Sequence, residues 1–292
     1  MNISKFTSLI SSALLSLSII TVAQQAQAGQ LYNNWNYGID SFTDGSVGDS
    51  FNIKGMAIKQ TNDSIYVGLT GGTPLAGVPE NGTLNNHVSY GDLFFNFTGQ
   101  NFQNAQGNNK LFGVRFAQSN DTPVSLGVYK NVQAFSPTTS NNGYGSLRQY
   151  YDYGYNKPNT MGTDLPTAQS VYNYLYPSNV ASNPTTSNTP ILAEILSGNK
   201  IGNITLLSST ELSSLGLNFG HFNASGNQTF GFKFNRNLLP DGSFIGHLFL
   251  ECGNDGVAIA ANLTPVPESS TLGALALFGI TLYGMKRRQN NV

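Results

Sequence analysis

Five acidic residues are the first candidates for chemistry in this chain: Asp92, Asp164, Glu194, Glu211 and Glu251. Two carboxyls facing each other across a cleft, about 5–10 Å apart, are what hydrolysis of a polysaccharide requires. Two of the five have simpler explanations. Glu211 follows Ser208 by the spacing of a helix capping box, and Asp92 alternates with apolar residues as a solvent-face position of a strand does. The three histidines, His87, His221 and His247, are far apart and lack HExxH-like spacing, and there is no cysteine pair, so zinc is not expected. The single cysteine, Cys252, follows an apolar stretch and reads as a small buried hydrophobe rather than a nucleophile. Serine-elbow, phosphate-loop and dinucleotide signatures are absent.

Two segments carry binding potential. Asp40, Asp44 and Asp49 in "DSFTDGSVGD" are spaced like loop carboxylates that could hold Ca2+, although they do not fit the EF-hand pattern and Asp-Gly pairs are ordinary turn chemistry. The stretch from Tyr144 to Pro177 holds eight of the fourteen tyrosines. Tyr150, Tyr151, Tyr153 and Tyr155 would suit sugar rings if they were exposed together, because tyrosine offers a flat apolar face and a hydroxyl. The same residues serve equally as packing anchors. The balance favours no catalysis, no metal centre and no cofactor beyond a weighed Ca2+ site.

The elements that must position these residues have mostly a period of two. "GDLFFNFTG" sets Leu93, Phe95 and Phe97 opposite Asp92, Phe94 and Asn96, and "LFGVRFA" sets Phe112, Val114 and Phe116 opposite Arg115, as half-buried strands do. "FNIKGMAIKQTNDSIYVGLTGG" reads as a hairpin turning at Asn62-Asp63, with a bulge at Gly55 where the apolar parity switches. "TFGFKFNRNLLPDGSFIGHLFLE" reads as a second hairpin turning at Pro240-Asp241-Gly242. Its returning strand, Phe244 to Leu250, is apolar on both faces and belongs in the middle of a sheet. Short helices are expected through "ILAEILS" after Thr189-Pro190, through "TELSSL", and from about Leu165 to Leu175.

Charged residues make up 10% of the 292 residues, against 32 glycines and 35 asparagines, so the exterior is amide and hydroxyl rather than ionic. The formal net charge of -1 leaves no basic face for a phosphate backbone, which argues against nucleic acid as a partner. Residues 1–28 have Lys5, an apolar stretch from Leu9 to Val22, and the small-x-small ending Ala26-Gln27-Ala28 of a secretory signal peptide cut after Ala28. At the other end, Leu272 to Met285 is 14 apolar residues, about 21 Å as a helix. With Ser270 and Thr271 it would cross a thin bilayer as a helix over 270–285, held by Lys286, Arg287 and Arg288 on the cytoplasmic side.

The order Val266-Pro267-Glu268, Ser269-Ser270-Thr271, apolar helix and Lys286-Arg287-Arg288 closely resembles the PEP-CTERM sorting signal of Gram-negative, exopolysaccharide-producing bacteria. Ser269 stands where that family has a second proline. The resemblance implies recognition by an integral-membrane exosortase, cleavage near the Pro-Glu motif, and delivery to the cell surface or medium after signal peptidase has removed the leader. A more distant similarity, over "SYGDLFFNFTG", "FGVRFA", "LGVYKNV", "GFKFN" and "ECGNDGVAI", is to the XDD-type exosortase-dependent surface proteins, which carry no assigned catalytic residue. The expectation is a signal peptide over 1–28, a mainly β, antiparallel, jelly-roll-like sandwich with a helical excursion over 29–263, and a sorting tail over 264–292. Its expected role is structural or adhesive in an exopolysaccharide matrix. The alternatives are a carbohydrate-binding module using residues 144–177 and a polysaccharide-degrading enzyme.

Overall fold

The computed structural model describes residues 29–42, 49–152, 161–182 and 188–266. The signal peptide with Ala26 and Ala28, the sorting residues from Pro267 to Thr271, the 270–285 helix, Lys286 to Arg288, Tyr153, Tyr155 and Asp44 lie outside the described residues. Among the described residues no helix is long and apolar enough to cross a membrane.

The protein is mainly β, and its paired strands run antiparallel. Gln30–Tyr32 (β1), Trp35–Ile39 (β2), Ile53–Gln60 (β3) and Ser64–Gly71 (β4) form a meander. The ribbon Val78–Pro79 (β5) and His87–Val88 (β6) leads to Leu93–Asn96 (β7), Phe112–Arg115 (β8) and Gly127–Phe135 (β9), with helix Phe102–Gly107 (α1) between β7 and β8. Three helices follow, Leu147–Tyr150 (α2), Ala168–Leu175 (α3) and Ser178–Ala181 (α4). Then come Glu194–Gly202 (β10), Thr205–Ser208 (β11), helix Ser209–Ser214 (α5), Gln228–Asn235 (β12), Gly242–Phe249 (β13) and Gly256–Leu263 (β14). One sheet has the order β1-β2-β3-β4-β12-β11 and the other β10-β9-β8-β7-β13-β14.

Alternation explains why these sheets meet. Met56, Ile58, Val67, Leu69, Phe232 and Phe234 from the first sheet share one buried cluster with Leu93, Phe95, Val114, Phe244, Leu248 and Ile259 from the second. Phe232 stacks on Phe116 with ring centroids 5.0 Å apart. Two antiparallel sheets facing each other across one apolar core are consistent with a β-sandwich. The connectivity differs from the jelly-roll expectation, because β1 to β4 and β7 to β10 are each sequential meanders rather than interleaved Greek keys.

Three local expectations need correction. The "ILAEILS" segment is not a helix: Ala193 N–H bonds to Phe135 O (3.0 Å), and β10 pairs along β9, so a sheet edge in need of partners overrides a weak helical preference. β12 and β13 are not a hairpin, because β12 pairs with β4 while β13 pairs with β7 and β14. Arg236 makes that crossing corner: its buried guanidinium donates to Leu239 O (2.8 Å), to Thr264 O (2.9 Å) and to the Asp241 carboxylate. β7 is buried on both faces rather than half-buried, since Phe94 packs under Phe102 of α1 and stacks on His247.

Other expectations match the structure. The β3–β4 hairpin has its register shift between Ile53 and Gly55, β13 lies centrally, and α3 occupies most of the 165–175 stretch. Ser208 and Glu211 form the reciprocal capping box of α5. Ser208→Ala is expected to lower stability by about 1 kcal/mol, read as a shift in urea midpoint at constant slope. The asparagine content also has a backbone cause. Among the described residues every non-glycine with positive φ is asparagine: Asn33, Asn34, Asn86, Asn109, Asn131, Asn142 and Asn223. Asparagine tolerates that left-handed region better than most L-residues, so the turns of these meanders select it.

Candidate functional site

The one concentration of buried ionisable chemistry in the described structure is where the ends of β7, β10 and β13 meet. Asp92 precedes β7, Glu194 opens β10, and Glu251 follows β13; all three side chains are fully buried. A carboxylate removed from water is costly unless hydrogen bonds replace its hydration, and each of these has found donors.

Asp92 is satisfied by neutral donors. Thr122 Oγ1 (2.5 Å) and Ile195 N–H (2.7 Å) donate to Oδ2, and Asn120 Nδ2 (3.0 Å) donates to Oδ1. Its own N–H donates to Ala193 O at 2.8 Å. Burial raises the acid to about 6, opposed by Thr122, the Ile195 amide, Asn120 and the positive charge of Arg115. The solvent-face expectation for Asp92 is thus overturned: the face opposite the sandwich core is covered by β10 and by the loop after β8. That loop curls around Arg115, whose guanidinium donates to the Asn120 side chain (3.0 Å) and to the carbonyls of Gln118 (3.2 Å), Asn120 (3.1 Å) and Val124.

Glu194 and Glu251 are electrostatic neighbours. Asp121 N–H donates to Glu194 Oε1 (3.0 Å) and Ser89 N–H to Glu251 Oε1 (2.8 Å), while Glu251 N–H returns a bond to Ser89 O (3.0 Å). Burial, followed by the negative charges of Asp92, Glu251 and Asp121, pushes the Glu194 acid far up. Burial likewise raises Glu251. Asp121 is half-buried beside them, its carboxylate accepting from Asn85 Nδ2 (2.9 Å) and Asn141 Nδ2 (2.8 Å).

Of the five carboxyls singled out in the sequence, three therefore meet and two do not. Asp164 Oδ2 accepts from Ala260 N–H (2.7 Å) and is raised to about 7 by burial, and Glu211 caps α5. Glu194 and Glu251 are both fully buried, and each is tied to a backbone amide, of Asp121 and of Ser89. These hydrogen bonds tie backbone segments of different elements together.

The remaining candidates are dispersed. His87 is half-buried, and His221 is exposed and stacked on Tyr32 at 3.8 Å. His247 is fully buried among Phe94, Phe102 and Phe249, with Nδ1 2.8 Å from Tyr174 Oη, and burial lowers it to about 3, so it is neutral. Asp40 is buried after β2 while Asp49 is exposed, and among the described residues no group of three or more His, Cys, Asp or Glu is arranged to hold a metal ion. Burial pushes the Cys252 thiol up to about 12, which removes nucleophilic character at neutral pH.

Tyr150 corrects the ligand-surface expectation. It is fully buried, its hydroxyl 3.4 Å from Asp255 Oδ1 and its ring tilted against Tyr144, and Tyr151 is half-buried. Tyr172, Tyr174 and Tyr176 are buried in the same cluster, between the helices and the outer face of the second sheet. The described part of the tyrosine-rich segment is a packing layer, because that sheet needs an apolar cover on its second face.

Sequence reasoning missed Arg115, Asn120, Thr122 and Ser89 as partners of the acids, and Arg236 as the corner. A usable signal existed for the acids themselves: Asp92, Glu194 and Glu251 each abut an apolar run, where a carboxyl is more often buried than exposed strands suggest. Compared with protein-family models, curated proteins and solved structures, the chain matches none. What the fold and site define is a mainly β, antiparallel domain whose buried acids serve its architecture.

Proposed function

We propose that residues 29–263 form the β-sandwich domain of an exported, exosortase-sorted surface or matrix protein whose role is structural or adhesive and not catalytic. The observation that carries this reading is how the domain ends. β14 completes the second sheet at Leu263, and Thr264 is then held by Gln60 Oε1 to its N–H (2.9 Å) and by Gln60 Nε2 (2.8 Å) and Arg236 (2.9 Å) to its carbonyl. These fastenings all lie on the domain side of Val266-Pro267-Glu268, so cleavage at the motif would leave every described strand in place.

In this reading a signal peptidase removes 1–28, the 270–285 helix stops the chain in the inner membrane, and an exosortase releases the domain to the surface or medium. The nearly uncharged exterior then meets polysaccharide through many weak amide and hydroxyl hydrogen bonds. Deletion of the gene is expected to reduce surface attachment and the amount of matrix retained by cells, with recovery on complementation. Unchanged attachment and matrix in the deletion strain would remove the structural role.

A further inference from the structure

Gly29 is buried, and lies where β2 of the first sheet approaches β14, the edge strand of the second. Its N–H donates to Ala260 O (2.8 Å), and the N–H of the same Ala260 donates to Asp164 Oδ2 (2.7 Å). In an antiparallel ladder one residue takes both of those bonds; here the nitrogen of Gly29 takes one and a carboxylate takes the other. The three atoms nearest to a Cβ added at Gly29 would all be oxygens: Asn36 Oδ1 at 2.7 Å, Tyr37 O at 2.8 Å and Asp164 Oδ2 at 3.1 Å. Asn36 donates through Nδ2 to Ala260 O (3.1 Å), and its Oδ1 is buried with no donor among the described residues. A nest of acceptors with too few hydrogens suits a primary ammonium, which has three to give. We propose that Asn36 Oδ1, Tyr37 O, Asp164 and Ala260 O form a binding site for the α-ammonium that removal of the leader creates at Gly29, and that the cut thereby staples β14 to the first sheet. The inference rests on the reading that signal peptidase cuts after Ala28.

Hydrolysis of the Ala28–Gly29 peptide bond consumes one water, leaves a carboxylate on Ala28 and turns the amide nitrogen of Gly29 into an ammonium. Before the cut that nitrogen has a single hydrogen, which Ala260 O holds. After the cut it has two more hydrogens and a positive charge, on the flank that carries Asp164. While Gly29 is uncharged, burial raises the Asp164 acid to about 7 against the pull of the Ala260 amide, and a neighbouring cation favours the carboxylate. The turn that carries Asp164 is held from both sides: Thr163 N–H donates to Ile39 O (2.8 Å) on β2, and Ala258 N–H of β14 donates to Met161 O (3.0 Å). Also on this flank are Tyr37, whose phenol burial keeps neutral, and Asp40, directly after β2. The same crowding explains a glycine as the first residue after the cut, since any side chain would press on the three oxygens.

The test compares the exported protein with its α-amine free and with that amine acetylated, which restores an amide at Gly29 without adding a leader. Terminal sequencing first establishes where the chain begins. Acetylation is done in urea at about pH 6.5, where the α-amine reacts while lysines stay protonated. Blocking the amine is expected to lower the urea midpoint at constant slope, equivalent to an unfolding constant about tenfold larger, and Asp164→Asn should remove most of that difference. If Asp164→Asn does not fold, the pH profile of acetylation of the native wild-type protein takes its place: the α-amine should titrate about one unit above its usual value of about 8. A chain that begins at Gly29 and unfolds at the same midpoint whether free or acetylated would overturn the site and leave the leader reading intact. An equal difference in Asp164→Asn, or an α-amine that titrates at its usual value, would also overturn the site. A chain that begins elsewhere would overturn both.

Discussion

Asp92→Ala is expected to destabilise the domain by about 3–5 kcal/mol. The substitution strands three donors in a site without solvent, Asn120 Nδ2, Thr122 Oγ1 and the Ile195 amide, and each stranded buried donor costs about 1–3 kcal/mol. Partial relaxation keeps the total below a simple sum. The loss spreads beyond the side chain, because Asp92 joins β10 to the loop that wraps Arg115. Asp92→Asn keeps the shape and one acceptor, and is expected to cost about 1–2 kcal/mol. The check is the urea midpoint of the mature domain, with equal slopes for the variants so that the change is one of stability and not of compactness. An alanine variant within about 1 kcal/mol of wild type would mean that water already satisfies these donors.

The second large effect is a loss of stability as pH rises from about 5 towards 8, the opposite of ordinary acid unfolding. Glu194, Glu251 and Asp92 all have acids raised by burial above the values of about 3.9–4.3 that they take when unfolded. Between the unfolded and folded values the native state binds more protons, so the stabilisation is fully present below about pH 4 and is lost as pH climbs through the folded values. Each retained proton contributes a slope of about 1.4 kcal/mol per pH unit. Asp92 stops contributing near 6, where its own folded value lies, and the glutamates continue above it. His247 acts with the opposite sign, because its folded value of about 3 makes the unfolded chain the better proton binder below about 6.5, but it is one group against four, since Asp164, where Gly29 carries no charge, is raised by burial to about 7 as well. Urea midpoints across this range should therefore decline, and Glu194→Gln should flatten the decline. Midpoints that rise from pH 5 to 8 would show that the carboxyls are ionised and well solvated.

Period-two alternation was enough to find β3, β4, β7, β8, β12 and β13, since each buries at least one face against the other sheet. It could not say which strands pair. β12 and β13 look like a hairpin because Pro240-Asp241-Gly242 is a good turn; the switch between sheets is made by the buried charge of Arg236, whose partners at Leu239 and Thr264 include one far along the chain. Ile191 to Ser197 satisfied a helix template, and what decided against it was an open edge of β9, a tertiary fact. The same holds for the candidate site. Asp92, Glu194 and Glu251 were visible individually, but they are separated by many tens of residues, and only the closure of one sheet brings them together. Tyr150 failed as a surface residue for a related reason: the need of the second sheet for an outer cover is invisible in a local pattern.

The most direct test of the central claim is the intact mass of the protein in separated inner-membrane, outer-membrane and medium fractions, from strains with and without the exosortase. The account predicts a surface or released form that begins near Gly29 and ends near Pro267 or Glu268, present only when the exosortase is present. A chain ending at Val292 in every fraction would contradict it, and would make the protein a permanently anchored component of the inner membrane.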